Sequence, residues 1–312
     1  MISRHDDTSP AVHWTVARLL EWTENYFRSL GLPTPRLDAE ILLASALECT
    51  RLDLYTGYQR LVEPRERARF RALVERRARR EPVAYLMGRR EFYSLSFEVS
   101  PSVLIPRPET EHLVELALDA LKGRSPADGA PRVLDLGTGS GNLAVAIAVN
   151  APQVLVDAVD SSAPALEVAG RNAQAHGVAD RVSFFLGDLF EPLRVRGGSY
   201  AAIVSNPPYV ARAEIEGLMP DVRDHEPREA YLDTKSPDGD GLGFYRAIAG
   251  EAAAYIEPTG ILGVEVGFGQ APRVVEIFNA RGWNLRRVIK DYGGIERVVA
   301  AAPGASAPET PR

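Results

Sequence analysis

The sequence predicts an α/β protein: a doubly wound, mostly parallel seven-stranded sheet ending in an antiparallel hairpin, preceded by a small helical domain. Three observations predict it. From residue 132 onward, short apolar runs alternate with helical patterns, as in parallel βαβ units. The last two strand patterns, 284–290 and 296–301, are too close for a parallel crossover and allow only a hairpin. Before residue 82, apolar positions fall at helical spacing instead.

Residues 11–30 carry Val12, Val16, Leu19, Leu20, Tyr26, Phe27 and Leu30 at that spacing, and Gly31 offers a stop. Pro35 opens a second helix with Leu37, Ile41, Leu42, Ala46 and Leu47. A third begins at Pro64 and holds eight arginines between Arg65 and Arg80 against Glu66 and Glu75. It reads either as a solvated face crossed by i,i+4 pairs or as weak docking for an acidic partner, a ribosome-bound factor or RNA. Residues 83–105 change period: Val83, Ala84, Tyr85 and Leu86, then 91–99, alternate like a β-hairpin linker. Pro108 and the acids after it suit the first turn of a helix over 109–122, and a loop follows at 123–131.

Strands are then expected at 133–136, 154–159, 182–186 and 201–204, with helices at 143–149 and 163–176. Segment 206–240 lacks periodicity, and a loop that long in a compact domain is usually functional. A helix (242–256), a strand (261–266) and a helix (270–281) lead to the closing hairpin through Gly293 and Gly294, so the sheet should end in an antiparallel edge strand. The tail, 303–312, reads as disordered. The expected division is a helical domain over 1–82, the linker over 83–105, a catalytic domain over 106–302 and the tail.

Composition bounds the chemistry. The 312 residues carry a net charge of −6, which argues against a duplex-coating protein but leaves room for a basic patch. Cys49 is alone, and His5, His13, His112, His176 and His225 include no His-x-x-x-His pair, so no metal site is expected. No run reaches about 18 apolar residues, so the reading is a soluble, cytoplasmic protein with no membrane contact.

Two stretches carry chemistry. Asp135-Leu136-Gly137-Thr138-Gly139-Ser140-Gly141 follows the first strand of the sheet, where glycines permit positive φ and close ligand approach at a helix amino end. Asp160 ends the second strand 23 residues beyond Gly137, where a carboxylate can accept both ribose hydroxyls. A nucleoside-containing cofactor follows, though a bare Gly-x-Gly-x-Gly also fits a dinucleotide enzyme or a plain turn. Ser205-Asn206-Pro207-Pro208-Tyr209 ends a buried strand, where two prolines stop the ladder. Amide and carbonyl oxygens fixed there can accept from a planar NH2 group while the ring stacks on it.

With the terminal hairpin, these stretches resemble S-adenosylmethionine-dependent methyltransferases. LIPRPETE (104–111), DLGTGSG (135–141), SNPPY (205–209), VRDHEP (222–227) and GGIERVV (293–299) narrow the likeness. Their order is similar to that of the release factor glutamine methyltransferase (PrmC/HemK) family, over residues 11–302. SNPPY alone also admits adenine-N6 methyltransferases of nucleic acid, and a non-catalytic module holding S-adenosylmethionine or a release factor is a second alternative. LIPRPETE favours the glutamine enzymes.

The resemblance implies methyl transfer to the side-chain amide nitrogen of the Gln in a release factor's Gly-Gly-Gln motif, with no nucleic acid required. The resonance that makes rotation about a peptide bond cost about 18–20 kcal/mol also makes that nitrogen a poor nucleophile, so positioning matters more than a general base. It further implies that Asn206 and the Pro207 carbonyl hold the amide while Pro208 and Tyr209 flank it. Gly137, Thr138, Gly139, Ser140 and Gly141 would line the methionine part of the cofactor, with Asp160 at the ribose, Asp188 and Leu189 at the adenine, and Asn206 nearby. Asp135 would orient the cofactor's amino group or act from behind. Asp188 is also a candidate helix N-cap. Arg107, Glu109 and Thr110 would close the mouth, or serve as caps and ion pairs, and His225 and Glu226 would face the substrate entrance. Ser94 stands where the family commonly has Gly, which questions a positive-φ turn there, and Thr234-Lys235-Ser236-Pro237 replaces a shorter Gly-rich run.

Overall fold

In the computed structural model, which describes residues 14–124, 129–195 and 197–304, the chain divides into two units between Met87 and Gly88. The first is helical: α1 (Val16–Ser29), α2 (Pro35–Ala46), α3 (Arg51–Thr56), α4 (Pro64–Ala78) and α5 (Val83–Met87). Thr15 caps α1 by accepting from the Arg18 N–H, and prolines open α2 and α4. Leu20, Phe27, Leu42, Leu43, Phe70 and Val74 fill its core.

Two helices depart from the expected pattern. α3 buries one residue, Leu54, too few to show a period, and its signal is the Thr50/Asp53 capping box. Val83–Met87 form a turn of helix rather than part of the hairpin, since five residues cannot separate the two periods. On α4, Arg71 pairs with Glu75, Arg76 with Glu81 and Arg69 with Glu48, all at the surface, in keeping with a solvated face. Arg80 donates to the carbonyls of Leu30 and Gly31 at the end of α1. Arg77 turns inward instead, 2.7 Å from Asp38 and equally buried.

The second unit opens with a hairpin, β1 (Arg89–Phe92) and β2 (Leu95–Glu98). Its two turn residues, Tyr93 (φ 49°) and Ser94 (φ 59°), both lie in the left-handed region. The turn therefore keeps its positive φ without a glycine, steadied by the Tyr93 N–H donating to Glu111 Oε1 at 2.8 Å. A 3-10 turn, Pro108–Thr110, then leads into α6 (Glu111–Leu121).

The sheet follows as β3 (Arg132–Leu136), α7 (Asn142–Asn150), β4 (Leu155–Asp160), α8 (Ala163–Ala175), β5 (Val182–Leu186) and β6 (Tyr200–Ser205). Then come α9 (Pro220–Arg223), α10 (Gly243–Glu251), β7 (Ile256–Glu265), α11 (Ala271–Ala280), β8 (Trp283–Lys290) and β9 (Glu296–Pro303). Seven strands order as β5-β4-β3-β6-β7-β9-β8, the first five parallel. The order reverses between β3 and β6, the switch point where such sheets bind ligands. Val133, Val204, Leu113 and Val145 pack on one face, and Leu134, Ile203, Tyr245 and Phe278 on the other.

The expected helix over 242–256 stops at Glu251, and Ile256 already pairs with Tyr200 before residues 257–260 bulge and the ladder resumes at Ile261. Pro258 and Gly260 mimic a loop in sequence. The expected antiparallel edge strand is displaced by one position. β9 runs against the sheet but lies inside it, and β8 forms the edge. Val298, Val299, Ala300 and Ala301 suit an inner slot, whereas Asn284, Arg286 and Arg287 keep an edge soluble. Residues 11–13, 125–128 and 305–312 of the expected helix, loop and tail lie outside the described residues.

Ser94→Gly relieves a left-handed residue and is expected to raise stability by about 1 kcal/mol in urea unfolding. Arg77→Ala strands the Asp38 carboxylate and is expected to cost about 3–5 kcal/mol, read as a fall in thermal midpoint of the first unit.

Candidate active site at the switch point

β6 is buried along all six residues, so its end is held from both faces of the sheet. Ser205 Oγ donates to the Leu136 carbonyl at 2.8 Å, fastening the last residue of β6 to the last of β3. The glycine loop and the Asn-Pro-Pro-Tyr turn therefore leave the sheet side by side. A cavity of about 490 Å³ opens over them, within the range of small-molecule sites.

Gly137, Thr138, Gly139 and Ser140 line it from β3. Gly137 (φ 74°) and Gly139 (φ 55°) lie in the region that favours glycine, and a Cβ at Gly139 would project into open space. Asp160 lines it from β4, with Oδ2 accepting from the Gly139 N–H at 2.8 Å and Oδ1 from the Ser162 N–H at 2.9 Å. Burial raises its carboxyl above the ordinary value, and these amides oppose the shift. Asp135 stays off the wall. Its Oδ2 accepts from Thr138 Oγ1 at 2.6 Å and from the Ala144 N–H at 3.2 Å, and burial pushes its pKa up to about 7. Its Oδ1 is buried with no hydrogen-bond partner among the described residues.

Gly141, expected on the cofactor, lies off the wall. A Cβ there would stand 3.0 Å from that of Ala169, so this glycine (φ 78°) lets α7 close on α8. Asp188 and Leu189 do line the cavity. Leu189 sits at φ 49°, a strained non-glycine position of the kind found at functional sites. The Asp188 carboxylate caps no helix; it pairs with Lys235, whose Nζ lies 5.2 Å from the ring centroid of Phe244, another wall residue. The departure at 234–237 thus reaches the site. Phe244 falls within the expected 242–256 helix and Lys235 within the aperiodic 206–240 segment, so spacing marks neither as a site residue.

Asn206 and Pro208 line the cavity, whereas Pro207 and Tyr209, expected at the substrate, lie off its wall: Pro207 is buried, and Tyr209 packs against the core around Tyr245 and Val266. Asn206 Nδ2 donates to Thr110 Oγ1 at 3.2 Å, and Thr110 Oγ1 donates to Glu265 Oε2 at 2.6 Å. Burial pushes Glu265 up to about 7, and burial together with Glu265 holds the Tyr209 hydroxyl above its ordinary value. Arg107 reaches Glu226 Oε1 at 2.6 Å, and Glu226 Oε2 accepts from the Ile105 N–H at 3.1 Å. Glu226 is therefore a buried strut rather than a group facing an entrance, and Glu109 lies 3.7 Å from Arg297. His225 is half-buried off the cavity wall. A one-bridge parallel contact, Val210 with Leu232, ties the irregular 206–240 segment together.

Among the described residues no group of three or more His, Cys, Asp or Glu converges to hold a metal ion. No described helix is long and apolar enough to cross a membrane.

Comparison with known proteins gives two family matches, the PrmC N-terminal domain over residues 18–88 and the methyltransferase small domain over 115–219. A release factor glutamine methyltransferase of Geobacter sulfurreducens is 45% identical, covering 93% of this chain and 98% of its own. That of Rhodopirellula baltica is 42% identical over 94% and 98%. The solved METTL16 methyltransferase domain (delta-N form) aligns at a TM-score of 0.51 and 14% identity, over 67% of this chain and 89% of that one, a likeness of fold.

Asp160→Ala removes the carboxylate that accepts from the Gly139 and Ser162 N–H groups. It is expected to weaken S-adenosylmethionine binding by roughly 10–100-fold in calorimetric titration, the scale of one or two charge-assisted hydrogen bonds.

Proposed function

The chain belongs to the release factor glutamine methyltransferase family, and on that premise we propose that it methylates the side-chain amide nitrogen (N5) of the Gln in the Gly-Gly-Gln motif of peptide chain release factors. The observation that carries the reading is the placement of Asn206 and Pro208 on one cavity wall with the glycine loop, across the switch point between β3 and β6.

Bound S-adenosylmethionine supplies a methyl group already activated on a sulfonium. Gly137, Thr138, Gly139 and Ser140 would hold its methionine part, Asp160 its ribose, and Asp188, Leu189 and Phe244 its adenine end. The chain's task is then to present a weak nucleophile. Asn206 Oδ1 and the Pro207 carbonyl accept the two N–H bonds of the substrate amide, and Pro208 and Tyr209 bracket its plane. Positioning of this kind can supply roughly 7–11 kcal/mol. No general base is assigned, since a neutral amide proton is too weakly acidic near neutral pH.

The helical first unit is assigned to substrate docking, with contact to an acidic partner through surface arginines such as Arg71 as its finer form. A cytoplasmic setting accords with a substrate that acts in translation. The adenine-N6 reading uses the same grip, but relatives matched over nearly their whole length bear a protein-glutamine name.

Asn206→Ala is expected to lower methyl transfer by roughly 100-fold or more, the scale of losing a preorganised hydrogen-bonding group, with an unchanged thermal midpoint. The assay offers radiolabelled cofactor with release factor, with the same factor altered at its Gln, and with adenine-containing DNA. Label on the DNA, or on the altered factor, would overturn the assignment.

A further inference from the structure

We propose that Thr110 and Glu265 are positioning residues that set which end of the Asn206 side-chain amide faces the cavity; this rests on the reading of Asn206 as the group that holds the substrate amide. Three distant segments meet at one buried point. Glu265 ends β7, Thr110 ends the 3-10 turn before α6, and Asn206 follows β6. Thr110 and Glu265 are each 2% exposed.

The orientation follows from counting hydrogens. A hydroxyl has one hydrogen, and an ionised carboxylate can only accept. With Thr110 Oγ1 at 2.6 Å from Glu265 Oε2, that single hydrogen is committed to Glu265, so the Thr110 oxygen is left to accept. Only the NH2 end of Asn206 can supply a hydrogen there, at 3.2 Å. The other end, Oδ1, is turned away from Thr110 and is the acceptor a substrate N–H needs. This holds whichever way round the amide atoms are drawn.

Protonation of Glu265 reverses the count. A neutral carboxyl can donate to Thr110, and the Thr110 hydrogen is then free to donate to Asn206 Oδ1. The NH2 end would turn outward and meet the substrate amide donor against donor. Burial holds this carboxyl up at about 7, opposed by the Thr110 hydrogen bond, raised further by Glu109, and lowered by Arg297 and Arg107. The neighbouring hydroxyls of Tyr209 and Tyr245 are themselves pushed upward and stay neutral through this range. Glu265 is thus the group whose ionisation keeps Asn206 in its accepting orientation as pH rises through about 7.

The test is steady-state methylation of a release factor by the full chain from about pH 5.5 to about pH 8.5, at saturating cofactor. Wild-type kcat is expected to fall at least about fivefold as pH drops through about 7. Thr110→Val is expected to lower kcat about tenfold or more at high pH and to abolish the acid limb. Its affinity for S-adenosylmethionine, measured by calorimetry, should stay within about threefold of wild type. Thr110→Ser, which keeps the hydroxyl, should restore kcat to within about threefold.

A second readout does not depend on turnover. The Asn206 side-chain amide resonances, identified by their loss in Asn206→Ala, should shift with a midpoint near 7 in the wild type and stay flat in Thr110→Val and Glu265→Gln. Wild-type kcat in Thr110→Val at every pH would overturn the proposal. So would a defect confined to cofactor affinity, a Ser variant as impaired as the Val variant, or an Asn206 signal that ignores pH. If Asn206→Ala methylates normally, the functional reading fails instead, and the amide resonances still decide whether Thr110 and Glu265 orient Asn206.

Discussion

One hydrogen bond fixes the distance on which the site depends, that from Ser205 Oγ to the Leu136 carbonyl. β3 and β6 are the strands on either side of the switch point, and residues beyond the end of each line the cavity. Left to the ladder alone, their ends could fray independently. The bond joins them at the final register position, Leu136 opposite Ser205. Pro207 and Pro208 then prevent β6 from continuing and Gly137 bends β3 away. Even the close approach of the two exits is visible, since a Cβ on Gly137 would lie 4.0 Å from the Asn206 carbonyl oxygen.

Features written in local sequence were readable, and features made by distant partners were not. The helices opened by Pro35 and Pro64, the hairpin at 89–98 and the strand–loop–helix around Gly137 each carry their own period and punctuation. So did the ends of β4 and β6, where Asp160 and Asn206 indeed line the cavity. The misses have physical causes. Pro258 and Gly260 hid the start of β7, because a bulge inside a strand looks like a turn. The inner place of β9 depends on which of two neighbouring strands is less charged, a comparison periodicity never makes. Gly141 looked like its neighbours and serves helix packing instead. Thr110 and Glu265 lie 155 positions apart, so no spacing could pair them.

The two carboxyls behind the cavity set stability against readiness. Asp135 and Glu265 are both buried, and burial pushes the pKa of each up to about 7. A carboxyl raised in this way stabilises the fold when protonated, a contribution present below its unfolded value and lost as pH rises through about 7. At neutral pH and above, the molecule therefore carries charge behind its site at the expense of stability. Thr138 and the Ala144 N–H recover part of that cost at Asp135, and Thr110 part of it at Glu265.

The inner position of β9 also governs the order of events when the chain is made. Chains emerge from their amino end at roughly 5–20 residues per second. β8 is therefore complete before the strand that must separate it from β7 exists, and it pairs with no described strand except β9. Until β9 arrives, the edge of β7 stands bare and the slot for Val298, Val299, Ala300 and Ala301 is empty, although the switch point between β3 and β6 can already form. The strands of the switch point are thus synthesised before β9. The last described strand takes its place between two neighbours already synthesised.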